Sequence, residues 1–197
     1  IAATIAEKNE KQTIERVRPA AVAGTWYPDD AQVLGKLVDK LLEKSSPQTP
    51  PKGVIRALLA PHAGYQYSGA TAAAGYQLLK GQSPSRVIVI GPSHHGDFHG
   101  LSILEVTHYE TPLGRLPLDL EAIAQLRTNS LVVADAQTDE HEHSIEMQLP
   151  LLQRVLTAGW KLVPILVGQM SAKDYTKAAD LLKPLADDKT LLILSGD

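Results

Sequence analysis

The order of apolar and polar positions predicts short strands that alternate with helices along most of the chain. Apolar runs of strand length cover residues 54–60, 86–90, 101–106, 131–134, 162–167 and 190–194. Apolar residues at helical spacing cover residues 31–44, 68–79, 120–127 and 145–156, and a further helix follows residue 171. This alternation predicts an α/β fold with a mostly parallel central sheet flanked by helices.

Capping residues and a proline mark the ends of three predicted helices. Asp30 precedes the first helix, whose predicted buried stripe comprises Val33, Leu37, Val38, Leu41 and Leu42. Ser171 and Asp174 have the spacing of a capping box at the start of the last helix. Pro150 lies within the fourth helix, where it predicts either a kink or the true start of that helix.

The chain divides into a short arm and one domain. Residues 1–16 are polar with scattered apolar side chains, so we predict a loosely attached N-terminal arm. Residues 17–197 then form a single α/β domain. A chain of 197 residues is long enough to bury a core without disulfides or a structural metal.

The charge and the cysteine count of the chain exclude several kinds of ligand and chemistry. The chain has 19 basic and 22 acidic side chains, a formal charge of -3 and no long run of either sign. We therefore expect no nucleic-acid or membrane surface, and small molecules or peptides as ligands. The absence of cysteine excludes disulfides and thiolate chemistry.

No apolar stretch approaches the roughly 20 residues of a membrane span, so we expect a cytoplasmic protein. Because the sequence begins with Ile1, export after removal of a signal peptide is the alternative.

Polar side chains follow three predicted strands directly. His62 follows the first strand, His94 follows the second, and Asp197 follows the last. The carboxyl ends of parallel strands meet at one edge of a sheet, where α/β proteins bind ligands. Glycine and proline beside each histidine favour tight turns, and imidazole is a common metal ligand. For either histidine taken alone, the alternative interpretation is an ordinary hydrogen-bonded loop residue.

Residues 135–146 contain five carboxylates and two histidines. Like charges at this density repel unless they are solvated or paired, so a solvated acidic loop is one interpretation. Against it, Ser144 is placed to cap the next helix, and His143 and Glu146 are three residues apart on its first turn. We predict catalytic roles for His143 and Glu146. A neutral His143 would suit a metal, whereas a protonated one would serve as a general acid or base.

Four further side chains are not expected to carry the chemistry themselves. Trp26 is predicted either to pack in the core or to line a pocket. His95 is predicted to orient His94 rather than to bind a metal itself. Ser93 and Ser144 do not lie in the G-x-S-x-G elbow of a hydrolase nucleophile, so a serine hydrolase is not expected.

Six motifs occur in the order found in one known family: "RPAAVAGTWYP", "APHAGYQYSG", "VIGPSHH", "YETPLG", "DEHEHSIEMQLP" and "VPILVG". Over residues 17–197 the chain therefore resembles the Memo-like proteins, also called AmmeMemoRadiSam system protein B. The resemblance implies a fold similar to that of the LigB-type class III extradiol ring-cleavage dioxygenases. That fold is a three-layer α/β sandwich whose pocket holds non-haem iron.

The resemblance also implies residue roles. His62 and His94 correspond to metal ligands of the family, Asp197 to an aspartate that lines the same pocket, and His143 to the histidine of the segment "EHSIE". His141 stands where an acidic residue is more usual, and "SGD" replaces the commoner "SSD". Family members continue beyond this point with a segment that brings another ligand, so the chain is expected to lack the family's C-terminal portion.

Two function hypotheses follow. The first is a metal-dependent oxidoreductase in which His62, His94 and a carboxylate hold Fe(II), or alternatively copper, and His143 acts as acid or base. Asp197 and Glu146 are the two candidates for that carboxylate. The second hypothesis is a non-catalytic scaffold that binds a peptide or metabolite and acts with radical SAM and AMMECR1-type proteins. The sequence leaves the substrate, the metal and the oligomeric state open.

Overall fold

In the computed structural model, which describes residues 14–45, 51–136 and 140–196, a six-stranded sheet occupies the centre of the protein. In spatial order its strands are β2 (Ala57–Pro61), β9 (Thr190–Gly196), β3 (Arg86–Pro92), β8 (Lys161–Val167), β4 (Leu101–Ser102) and β7 (Val132–Val133). Every neighbouring pair is parallel except β8 and β4, which are antiparallel. The predicted mostly parallel sheet is therefore confirmed.

Helices flank this sheet on both faces. They are α1 (Ala31–Lys44), α2 (Tyr65–Tyr76), α3 (Leu120–Leu126), α4 (Leu149–Val155) and α5 (Ala172–Leu182). Helices α1, α2 and α4 pack against one another, and Gly75 of α2 lies against Leu58 of the sheet. Strand side chains alternate between faces, and Ile88 and Leu192 line a cavity with α5 on the opposite face. The result is the predicted three-layer α/β arrangement.

Helix α1 begins as predicted, but its buried stripe differs. The Asp30 carboxylate accepts hydrogen bonds from the backbone N–H groups of Gln32 and Val33, each 2.9 Å long. The buried side chains are Leu34, Val38 and Leu42, whereas Val33 is 53% exposed. Positions four apart share one face of a helix. The predicted stripe was therefore wrong at its first position, because Leu34 rather than Val33 is aligned with Val38.

Three predicted boundaries were wrong, two of them at strand ends and one at a helix. The first strand pairs with β9 only from Ala57, and Val54 is 69% exposed. Helix α2 begins at Tyr65, three residues earlier than predicted, and a 3-10 turn replaces its predicted last turn. The predicted strand 101–106 pairs over two residues only, Leu101 and Ser102, with each of its neighbours. The length of a strand depends on its partner, which an apolar run does not reveal.

A second, three-stranded sheet was not predicted. It contains β1 (Val17–Arg18), β5 (His108–Thr111) and β6 (Gly114–Pro117). Strand β1 is parallel to β5, and β5 forms an antiparallel hairpin with β6. Gly114 in the hairpin has a φ of 123°, a conformation that favours glycine. These strands are too short to show a periodicity, yet they bring Arg18 into the interior, where it is 3% exposed.

Ser144 does not cap the next helix, which corrects the prediction. Its hydroxyl donates instead to the carbonyl oxygen of Pro92 at the end of β3, at 2.8 Å. A side chain at Gly91 would place its Cβ 2.5 Å from the Ser144 oxygen, so this close approach requires glycine. A 3-10 turn at Glu146–Gln148 follows, and Pro150 lies in the first turn of α4. Pro150 thus marks the start of the helix, where a missing N–H costs nothing.

Candidate metal centre

Three histidines meet beyond the carboxyl ends of the central strands. Strands β2, β9 and β3 are adjacent and parallel, so their ends gather at one edge. His62 follows β2, His94 follows β3, and His143 comes from the loop before α4. One ring nitrogen of each lies within 4.8 Å of the other two. The structure therefore brings together three of the predicted site residues, with His143 placed as a third possible metal ligand.

The three imidazole rings pack closely against one another and against one tryptophan. The ring centroids of His94 and His143 are 4.5 Å apart and nearly parallel, and the ring of His62 lies edge-on, 5.2 Å from His94 and 5.5 Å from His143. The ring of Trp26 lies 4.1 Å from that of His143. Trp26 also packs against the hydrophobic core, so its position is compatible with both predicted roles.

The hydrogen bonds of Ser195 fix the tautomer of His62. The Ser195 hydroxyl donates its single proton to the carbonyl oxygen of Ser144, at 2.6 Å. It must therefore accept from its other two partners, the side-chain amide of Gln148 at 2.8 Å and Nδ1 of His62 at 2.9 Å. Nδ1 of His62 thus carries a proton, which places the lone pair of the neutral ring on Nε2. A metal binds the nitrogen opposite such a hydrogen bond.

The orientation of Gln148 is also fixed. Its amide nitrogen donates to the carbonyl oxygen of Pro61 at 3.1 Å, and its oxygen accepts from the Tyr76 hydroxyl at 2.7 Å. Gln148 is fully buried within an apolar stretch of sequence, and buried polar groups need partners. Sequence reasoning missed Gln148, although a glutamine inside "EMQLPLL" was the available signal. Tyr76, Gln148 and Ser195 form a chain of hydrogen bonds that ends on His62.

Glu142 holds both of the other histidines. Its carboxylate accepts from Nδ1 of His94 at 2.9 Å and from three backbone N–H groups, those of His94, His143 and Ser144, at 2.6 to 2.9 Å. Burial opposes its charge, but these hydrogen bonds prevail and lower the pKa of Glu142 to about 2. An ionised carboxylate only accepts, so Nδ1 of His94 carries a proton. Nε2 of His94 is then the nitrogen that suits a metal.

His143 is suited to the neutral state. Burial lowers the pKa of its imidazole, and nearby His94, His62 and His95 lower it further, whereas Glu142 opposes the shift. Its Nδ1 lies 3.6 Å from the Glu142 carboxylate. A neutral imidazole is the form that binds transition metals. Sequence reasoning had not singled out Glu142, although its place between two histidines in "HEHS" was a usable signal.

Glu146 lies outside this group, and its contacts do not favour the predicted catalytic role. It is fully buried, and its oxygens accept from the Arg18 guanidinium at 2.7 Å and from the Tyr27 hydroxyl at 2.5 Å. The backbone N–H groups of Ala21 and Val22 donate to it as well. With four donors, this carboxylate joins residues 18–27, here called the N-terminal segment, to the start of α4. A catalytic role for Glu146 stays a prediction.

The remaining predicted site residues lie at the edge of the histidine group or outside the described residues. Asp197 falls outside the described residues, so its prediction as a metal-site carboxylate is not tested. The ring of His95 is 6.4 Å from that of His94, and its predicted orienting role stays a prediction. His141 is exposed. Within the described ranges, the possible metal ligands that converge here are three histidines and no carboxylate.

One cavity of the protein lies away from the histidines. It encloses about 450 Å³ between α5 and the sheet, with Ile88, Ile90 and Leu192 on its floor. Leu59 and Leu194 on the same face of the sheet are 71% and 38% exposed. None of the three histidines lines this cavity, so it has no part in the chemistry of the histidine group.

Comparison with known proteins decides the family. The sequence profile described as "Memo-like protein" matches residues 18–197. The chain belongs to the Memo-like family. This Memo-like chain is 35% identical over 186 residues to "Protein memo-1 homolog" of Caenorhabditis elegans. The aligned region covers 93% of the chain and 52% of that protein. It is 38% identical over 194 residues to a "MEMO1 family protein" of Aquifex aeolicus, covering 92% and 67%.

The Memo-like chain is shorter than these relatives. It is also 36% identical over 185 residues to "Protein MEMO1" of Danio rerio, covering 91% of the chain and 61% of that protein. The chain thus spans about half to two thirds of the length of the curated relatives it matches. No helix within residues 14–45, 51–136 and 140–196 has the length and apolar character to cross a membrane.

Proposed function

We propose that this Memo-like chain binds a transition-metal ion through His62, His94 and His143 and acts as an oxidoreductase. The observation that carries the proposal is the fixed protonation of His62 and His94. Both rings hold the proton on Nδ1, so the lone pair of each Nε2 is the one that can bind a metal. Two nitrogens bound to one ion at about 2.1 Å are at most about 4.2 Å apart. The three nitrogens, within 4.8 Å of one another, are already near that separation.

Fe(II) is the proposed metal and copper is the alternative. Imidazole ligands suit iron, copper and zinc alike, and geometry and availability decide among them. A carboxylate from Asp197, or a group contributed by the part of the relatives that this chain does not match, would complete the ligand set. The proposed Fe(II) rests on the resemblance to the LigB-type dioxygenases, in which non-haem iron performs oxygen chemistry.

We propose small phenolic or catecholic molecules as substrates and dioxygen as the oxidant. In a dioxygenase reaction both atoms of dioxygen enter the product, so no separate reductant is required. A metal held by the histidines would supply the redox chemistry and would make a substrate hydroxyl easier to ionise. The chain's own residues do the rest: Glu142 and Ser195 hold the ligand rings, and Trp26 shields His143 from water on one side. In the alternative in which Asp197 takes the place of His143 as the third ligand, His143 is the acid or base for the substrate proton.

The proposed setting is cytoplasmic, with radical SAM and AMMECR1-type proteins as partners. Both proposals rest on the family resemblance. If the pocket carries out no turnover, the alternative is a scaffold that binds a peptide or metabolite together with those partners.

Titration of the purified protein with Fe(II) under anaerobic conditions tests the proposal. We expect one ion per chain in the wild type and at least a 100-fold loss of affinity in His62→Ala and His94→Ala, since each removes one of three ligands. His99→Ala is the matched control, because His99 is an exposed histidine outside the group. Elemental analysis of protein as purified identifies the natural metal.

The outcomes separate the two function classes. Stoichiometric binding that both ligand variants lose supports the metal site, and oxygen uptake with a panel of catechols then tests turnover. An intact wild type that binds no iron, copper or zinc contradicts the proposal and leaves the scaffold as the better account.

Replacing Ser195 by alanine is expected to weaken metal binding about 10- to 100-fold, the usual effect of removing a hydrogen-bond partner of a ligand histidine. Without the Ser195 hydroxyl, Nδ1 of His62 loses its acceptor and the ring loses its fixed tautomer. Isothermal titration calorimetry measures the affinity. Ser171→Ala is the control, because Ser171 caps α5 at the surface, and it should leave the metal affinity unchanged. Equal affinities for Ser195→Ala and wild type would contradict the assigned tautomer.

A further inference from the structure

We infer that Arg18 is a positioning residue for the metal site: from the small sheet it fixes the loop that carries Glu142 and His143. The inference rests on the proposed metal binding, which it deepens by adding a residue remote from the ligands. Arg18 belongs to β1, and neither its strand nor the small sheet contributes a histidine to the group.

The guanidinium of Arg18 is buried and makes directed contacts. One terminal nitrogen donates to the backbone carbonyl oxygen of Glu142 at 2.5 Å, and the other donates to the Glu146 carboxylate at 2.7 Å. The guanidinium carbon lies 5.0 Å from the centre of the Tyr109 ring. A planar fork with several donors holds two acceptors at fixed positions at once, which the point charge of lysine does not.

Glu142 transmits this contact to the histidines. Its backbone carbonyl is held by Arg18, while its side chain holds the backbone and ring of His94 and the backbone N–H of His143. The residue is therefore fixed from two sides. Loss of the contact to the carbonyl lets the Glu142 backbone move, and the carboxylate that orients His94 moves with it.

A second route runs from the same arginine through the N-terminal segment. Glu146, which Arg18 neutralises, also accepts from the N–H groups of Ala21 and Val22 and from the Tyr27 hydroxyl. Trp26 lies in this segment and its ring contacts His143. Both routes end at the histidine group, so Arg18 sets the position of its ligands as well as the stability of the fold.

The experiment compares Arg18→Lys with Arg86→Lys in the 197-residue chain. Arg86 is the matched control: it begins β3, at the end opposite to the site, and its Nε donates to the Asp119 carboxylate at 2.7 Å. The probe is Co²⁺ alone, whose visible absorption spectrum reports the coordination geometry. Affinity, spectrum and free energy of unfolding are measured for each protein.

We expect Arg18→Lys to weaken Co²⁺ binding about tenfold, the lower end of the effect of groups that support metal ligands, and to change the spectrum. Arg86→Lys should lose stability without a change in affinity or spectrum. A double variant, Arg18→Met with Glu146→Gln, removes the buried charge along with its partner and so guards against unfolding. It should regain stability relative to Arg18→Met alone and still bind Co²⁺ weakly.

Two results would overturn the inference. Folded Arg18 variants with wild-type affinity and spectrum would show that Arg18 serves stability alone. An equal loss of affinity in Arg86→Lys would show that affinity merely follows stability. If the wild type itself binds no Co²⁺, the proposed function fails first, and this is seen before any variant is compared.

Discussion

Replacing Glu146 by alanine lowers the free energy of unfolding by about 3–5 kcal/mol, the usual cost of removing one partner of a buried ion pair. The substitution leaves the buried Arg18 guanidinium without its carboxylate, and it removes the acceptor of the Tyr27 hydroxyl and of two backbone N–H groups. Urea unfolding at pH 7 measures the loss. Several buried donors then lack partners at once, so the effect is among the largest that one substitution can have in this chain.

Asp39→Ala is the control for this prediction. Asp39 also pairs with an arginine, Arg154, but both side chains are about 40% exposed. A surface pair of this kind contributes up to about 1 kcal/mol. If Glu146→Ala proves as stable as the Asp39 variant and instead abolishes turnover, the assigned structural role is wrong and the predicted catalytic role regains support.

Glu142→Gln is expected to destabilise the metal-free protein at neutral pH by on the order of 3 kcal/mol, the equivalent of a pKa lowered from 4.5 to about 2. The sign follows from linkage. The folded protein holds this carboxylate ionised to lower pH than the unfolded chain does, so its contribution is fully present above about pH 4.5. That contribution is lost as the pH falls through about 2.

The measurement is the free energy of unfolding of wild type and Glu142→Gln between pH 2 and pH 7, in the presence of a chelator. The difference between the two proteins should be largest above about pH 4.5 and should shrink as the pH approaches 2. Asp188→Asn serves as the control, because the side chain of Asp188 is almost fully exposed. A difference that is independent of pH would contradict the assignment of Glu142 as an ionised acceptor.

The mostly parallel sheet and the edge at which the site lies were predictable from the sequence for a physical reason. Residues 86–92 and 161–167 are nearly continuous apolar runs, as strands buried on both faces require. Parallel strands place their carboxyl ends at one edge, so His62 and His94 were expected to meet there, and they do. Where strands were short, as in the small sheet of β1, β5 and β6, no period existed to detect.

The supporting residues of the site were less visible in the sequence. Gln148 and Ser195 are 47 residues apart, and Arg18 and Glu142 are 124 apart. Each of these pairs is joined by one hydrogen bond that no local pattern records. Glu146 was predicted to face the site from the first turn of a helix, but a 3-10 turn precedes α4 there and the carboxylate meets the N-terminal segment instead.

The sequence by itself determined the α/β class, the family, and the placement of histidines after two strands, because periodicity, motif order and strand ends are local properties of the chain. Only the tertiary structure decided which atoms face one another: that Glu142 holds His94, that Ser195 fixes the proton of His62, and that His143 completes a group of three. Most buried polar groups need a hydrogen-bond partner, and at this site that partner is chosen by packing between distant segments rather than by neighbours in sequence.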